Sequence, residues 1–152
     1  MTLRFSTGLR DAMLGTDGFQ TAMANGVLRW YTGAQPANAD QAATGTLLCE
    51  ITESGGAFAH DSPTNGLNFD SPASGLISKA TAEAWEGVGL AVGVAGWFRF
   101  CANPSDTGGV STTLARIDGT LGKTGADLYV ANVNIVVSSP QIVQQFDIGL
   151  PA

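Results

Sequence analysis

The chain has 152 residues, enough for one sizeable hydrophobic core. Hydrophobic residues make up 44%, which argues against disorder, while only 13% are charged, about half the usual share for a soluble domain. The net charge is −6 and the seven basic residues are scattered, so no clustered basic face is available for nucleic acid or an anionic membrane surface.

Read from the start, residues 6–14 predict a short helix capped by Ser6, with Leu9, Ala12 and Met13 on one face and Gly15 at its end. Arg4, Arg10, Asp11 and Asp17 interrupt any apolar segment there, so no signal peptide is expected. Residues 18–24 predict a further turn or two, stopped by Asn25-Gly26. From Val27 onward the pattern changes to short alternating or apolar runs bounded by Gly, Pro, Asn, Asp and Ser. Strands are expected over residues 27–32, 46–52, 57–60, 66–69, 76–79, 81–85, 91–102, 110–121, 128–137 and 142–150. The first two flank a charge-poor loop from Thr32 to Gly45.

Two runs carry a clear alternation. Phe98 and Phe100 point to one side of their strand, and Trp97, Arg99 and Cys101 to the other. Near the C-terminus, Ile142, Phe146, Ile148 and Leu150 share a face, with Gln145 and Asp147 opposite. One-sided burial of that kind belongs to antiparallel sheets with one wet or interfacial face. About eight to ten short strands without crossover helices predict a mainly β fold. The expectation is an antiparallel β-sandwich, jelly-roll-like, with a short N-terminal helical segment. Residues 1–152 are expected to form a single domain, helical over 1–25 and stranded over 26–152. The longest uncharged apolar stretch, residues 87–98, is too short for a membrane span, which needs about twenty residues.

The residues that could carry chemistry are few. Cys49 and Cys101 fall within strands and read as buried free thiols of a reducing cytoplasm; their separation is not that of a zinc site. The single histidine, His60, has no Gly-x-Ser-x-Gly elbow to serve and reads as structural. Asp61-Ser62-Pro63-Thr64-Asn65-Gly66 resembles the start of a calcium loop, but Pro72 stands where the closing glutamate belongs. Residues 87–93 nearly spell a dinucleotide fingerprint, without the strand–helix–strand context it needs. The expectation is therefore no catalytic residue, no cofactor and no metal. Trp30, Trp85 and Trp97, with Tyr31 and Phe98, could form a sugar-stacking platform, although aromatic residues on strands more often belong to a core or an interface. Arg99, in the middle of an apolar strand, requires an acceptor in a desolvated setting, across the sheet or on a neighbouring subunit.

Several segments in order carry a resemblance. They are Arg4-Phe5-Ser6-Thr7-Gly8-Leu9-Arg10, Trp30-Tyr31-Thr32-Gly33-Ala34-Gln35-Pro36, and Ala39-Asp40 running to Gly45-Thr46-Leu47-Leu48. Further along come Ala95-Gly96-Trp97-Phe98-Arg99-Phe100, Arg116-Ile117-Asp118-Gly119-Thr120, Gly125-Ala126-Asp127-Leu128, and Phe146-Asp147-Ile148-Gly149-Leu150-Pro151. Together they resemble the small β-rich virion proteins of tailed bacteriophages. The resemblance implies a non-catalytic structural subunit of the virion, assembled in the host cytoplasm, that binds itself and other virion proteins. Head decoration is the favoured place, and a neck, collar or tail accessory subunit is the alternative. The interface residues expected on this reading are Trp30, Tyr31, Gln35, Pro36, Trp97 and Arg99. A rival of another class is a carbohydrate-binding, receptor-contacting module using Trp85 or Trp97.

Overall fold

The computed structural model describes residues 3–150; Pro151, which closes the last of the quoted motifs, lies outside the described residues. The first strand, β1 (Arg4–Phe5), precedes the helix α1 (Thr7–Leu14). Ser6 caps α1 as its sequence predicts: its Oγ accepts the Leu9 N–H at 3.1 Å. The N–H of Gly15 closes the other end on the Asp11 carbonyl at 2.9 Å. A single turn, α2 (Phe19–Ala22), follows, and Asn25 makes the left-handed turn that starts the strands, with φ at 55°.

The remaining strands are β2 (Val27–Thr32), β3 (Leu47–Glu53), β4 (Leu76–Ser78), β5 (Trp85–Val88), β6 (Gly93–Cys101), β7 (Arg116–Gly122), β8 (Leu128–Tyr129), β9 (Asn134–Ile135), β10 (Pro140–Val143) and β11 (Asp147–Gly149). Nine of the eleven form one sheet in the order β1-β7-β6-β2-β3-β5-β10, with β8 beside β7 and β9 beside β6. The pair β11-β4 forms a second, much smaller layer. All pairings are antiparallel except β7 with β8, so the fold is mainly β and sandwich-like, with unequal layers.

One face of the large sheet carries Leu28, Trp30, Ile51, Phe98, Phe100 and Ile117, all fully buried. Over it lie Phe69, Ile77, Phe146 and Ile148, from the small layer and the segments next to it. The aromatic rings meet edge-on or tilted: Phe69 and Trp85 at 5.5 Å, Phe98 and Phe146 at 5.3 Å, and Trp85 and Phe146 at 5.6 Å between centroids. The helical segment belongs to this core, since Leu9 and Met23 are completely buried within it.

Several sequence expectations change. Residues 57–60 form no strand, and residues 66–69 contribute only isolated bridges, Leu67 to Gly26 and Phe69 to Lys79. The run 128–137 divides into β8 and β9, and 142–150 into β10 and β11. The single face expected for Ile142, Phe146, Ile148 and Leu150 does not form: Ile142 and Leu150 are more than half exposed, while Gln141 and Val143 are buried. The chain leaves β5 after Val143 and pairs with β4 from Asp147, so no single alternation spans the whole run. The second face of β6, expected to be wet or interfacial, is covered by the chain itself, because Trp97 and Arg99 are as fully buried as Phe98 and Phe100.

Candidate functional site

The second face of the large sheet is a buried layer of charge. Strand register sets Glu50, Arg29, Arg99, Asp118 and Arg4 in one row across β3, β2, β6, β7 and β1. Arg29 Nε donates to Glu50 at 3.0 Å. Arg99 makes a two-pronged pair with Asp118, both bonds at 2.7 Å, and both side chains are fully buried. One step along the ladder, opposite Cys101, Arg116 grips Asp106 in the same manner at 2.6 and 2.7 Å. Three of the four arginines thus each pair with a carboxylate, and Arg4 stands opposite the shared Asp118 at the end of the row.

The segments covering this face are held by the same guanidiniums. Arg99 donates to the Gln41 carbonyl at 3.0 Å, Arg116 to that of Ala39 at 3.3 Å, and Arg29 to that of Asp106 at 2.8 Å. Arg4 donates to the Pro36 carbonyl. Asp40 accepts the backbone N–H and the hydroxyl of Thr7, both at 2.7 Å, and so ties the loop to the first turn of α1. The loop between β2 and β3 is therefore a cover fastened to its own sheet. Its carbonyls are acceptors for buried arginines, which is why a charge-poor sequence serves there.

Electrostatics follow from burial. Burial pushes the Asp106 carboxyl up, but the bonds from Arg116 and the Gly108 N–H outweigh it and hold the group below the usual carboxylate range. Burial drives the thiols of Cys49 and Cys101 up to about 12 and the Tyr31 phenol up to about 12. A thiol held protonated is not a nucleophile at neutral pH, so the two buried cysteines are chemically quiet. This layer positions the loops that cover it, and Arg29, Glu50 and Asp106 also line an open cleft of about 390 Å³ beside Tyr31 and Thr107.

The expected interface residues are placed otherwise than their sequence setting suggests. Trp30, Trp97 and Arg99 are fully buried, Tyr31 and Pro36 are buried and Gln35 is half-buried, so the chain covers five of the six within itself. Tyr31 stacks on Trp97 at 4.6 Å, and the Arg99 guanidinium lies 5.6 Å from the Trp97 ring centroid. Trp30 points to the opposite, apolar face, in register with Phe98. The acceptor that Arg99 requires is Asp118, across the sheet. The partners that sequence reading missed are Arg29, Glu50, Asp106, Arg116 and Asp118. The signal was present in Arg116-Ile117-Asp118, two charges alternating around an isoleucine inside an apolar run, as Arg99 stands inside its own.

Among the other candidates, His60 is exposed and meets Phe58 edge-on at 4.9 Å. The sugar-stacking platform does not form from the tryptophans, because Trp30, Trp85 and Trp97 are each fully buried. Among the described residues, no three His, Cys, Asp or Glu side chains converge as a metal set, and no helix is long and apolar enough to cross a membrane. Comparisons with family models, with curated proteins and with solved structures find no match.

The outer surface has its own pattern. Val88, Leu90, Val92, Val94, Val136 and Val137 are each more than half exposed. They lie on two segments joined backbone to backbone: the Gly89 N–H donates to Ser139 at 2.9 Å, the Ser138 N–H donates to Gly89 at 2.8 Å, and Val94 stands in register with Asn134. A side chain at position 89 would strike the Val136 carbonyl, so the glycine permits this approach. No charged residue occurs from 87 to 98 or from 128 to 146.

Proposed function

We propose that the protein is a non-catalytic structural subunit of a tailed-bacteriophage virion, a head-decoration or other accessory subunit that binds itself and neighbouring virion proteins. The observation that carries this reading is the neutral aliphatic edge of Val88, Leu90, Val92, Val94, Val136 and Val137. Six exposed aliphatic side chains on two hydrogen-bonded segments are costly on a free-standing protein, and grouped exposed apolar residues mark a contact surface. The internal use of charge supports the same reading. Six of the seven basic side chains hydrogen-bond within the chain, namely Arg4, Arg10, Arg29, Lys79, Arg99 and Arg116. Arg99 and Arg116 are buried in ion pairs, so two of the few cations serve the interior, and the low share of charged residues suits a surface covered by neighbours. The resemblance in the quoted segments supplies the virion setting, and head decoration accords with the short chain.

The test is particle composition. Phage propagated from the genome that encodes the chain are purified on a density gradient, and the chain is quantified against the major capsid protein. A fixed stoichiometric ratio is expected. Particles that are complete and infectious without the chain in any fixed ratio contradict the proposal.

A further inference from the structure

We infer that the cleft between the segments 129–132 and 139–144 is a binding site for a neutral saccharide. The cleft has a volume of about 390 Å³ and lies over Trp30, within the range of roughly 300–1,000 Å³ typical of small-molecule sites. Its lining is mixed and uncharged: around Trp30 stand the polar Tyr129, Asn132, Ser139, Gln141 and Gln144, with aliphatic wall from Val130, Ala131, Pro140 and Ile142. Three carboxamides and the Tyr129 hydroxyl can each donate and accept, as the hydroxyls of a sugar do, while the Ser139 hydroxyl already donates to the Val136 carbonyl at 2.6 Å. With no charged side chain from residue 128 to residue 146, the lining offers a charged ligand no counter-charge.

The fold presents these groups in a fixed way. In β8, Leu128 turns inward and is buried, so strand alternation turns Tyr129 outward, where it is 61% exposed. An exposed tyrosine ring beside amides gives a flat apolar face for the C–H side of a pyranose and a polar rim for its hydroxyls. Gln141 is buried and its amide is held by Ser139, whose Oγ accepts from Nε2 at 3.0 Å, so its orientation is set before any ligand arrives. Asn132 is fixed likewise by the backbone of Asn134, through two bonds of 3.0 Å. Trp30 belongs to the lining, and among the described residues its buried indole N–H has no hydrogen-bond acceptor, which leaves a polar demand unmet next to the cleft. The sugar-contacting aromatic residue is thus Tyr129, and the buried tryptophans take no stacking part.

The test is titration of the ¹⁵N-labelled full chain, followed by amide chemical shifts. The probes are glucose, galactose, mannose and N-acetylglucosamine, with N-acetylneuraminic acid as the anionic comparison. At least one neutral sugar is expected to shift the amides of Tyr129, Asn132, Gln141 and Gln144 at millimolar concentration, while the anionic sugar leaves them unmoved. Tyr129→Ala is expected to weaken that binding about tenfold, and Tyr129→Phe to retain most of it. Tyr129 is largely exposed, so both variants keep the fold. No shift at these four residues with any neutral sugar overturns the inference, as does binding that Tyr129→Ala leaves intact. So does a Tyr129→Ala chain whose only change is in its state of association, which would make the cleft a protein contact.

Discussion

Arg29 and Arg99 stand directly opposite one another across the β2–β6 ladder, two guanidiniums on one row of one sheet face. Like charges so placed repel, and the row holds because each arginine has a carboxylate on its far side, Glu50 for one and Asp118 for the other. Removing one member therefore does more than delete a bond. Arg99→Ala leaves the fully buried Asp118 without its counter-charge and should lower unfolding stability by about 3–5 kcal/mol in a denaturant titration. Arg99→Met with Asp118→Leu should recover much of that loss, since neither charge then remains buried. A loss below about 1 kcal/mol for Arg99→Ala would show that the pair does not order the layer.

Asp106 gives the layer a signature in pH. Its carboxyl titrates below the ordinary value of about 3.9 because Arg116 and the Gly108 N–H favour the charged form. The unfolded chain therefore takes up this proton first as pH falls. The contribution of Asp106 is complete above about pH 4 and is lost as pH drops through the lower folded value. Asp106→Asn should accordingly be less stable than wild type at neutral pH, and the gap should narrow as pH falls below about 4. Denaturant midpoints of both proteins across the acid range measure this. A gap that stays constant with pH would place the ion pair outside the stability balance.

Ser6 joins the helix to the sheet. Its buried hydroxyl accepts from the Leu9 N–H at 3.1 Å and the Arg116 N–H at 2.9 Å, and donates to the Leu114 carbonyl at 2.8 Å. Ser6→Ala removes a helix cap and strands the Arg116 N–H of β7 and the Leu114 carbonyl just before it, for an expected cost of about 2–3 kcal/mol. Faster amide exchange at both Leu9 and Arg116 would accompany it. A loss confined to Leu9 would reduce Ser6 to an ordinary cap.

How much of this was legible in the sequence follows from the range of each signal. The Ser6 cap, the Gly15 stop and the residues of β2 read directly, because local periodicity and capping chemistry decide them. Arg99 announced a buried acceptor, because a guanidinium between Trp97 and Cys101 has few other settings. Which carboxylate answered it depended on strand order, and a two-residue strand such as β1 leaves no periodic trace. Gln35 and Pro36, in the charge-poor loop between β2 and β3, read as interface residues. The loop's actual partners are arginines 58 and 77 residues away in the chain, counted from Gln41 to Arg99 and from Ala39 to Arg116, a distance over which composition carries no information. Ile142 and Val143 show the same limit: which of two neighbouring aliphatics faces outward was set by where β10 leaves β5.

Assembly through the neutral aliphatic edge is the centre of the functional reading, and sedimentation of the purified chain tests it most directly. At micromolar concentration the wild-type protein is expected to sediment at a multiple of its 15.6 kDa mass. The double variant Val92→Asp, Val137→Asp, which alters two exposed side chains, is expected to sediment at 15.6 kDa with an unchanged circular dichroism spectrum. A wild-type monomer at every concentration, or an oligomer that the double variant leaves intact, would contradict assembly through this edge.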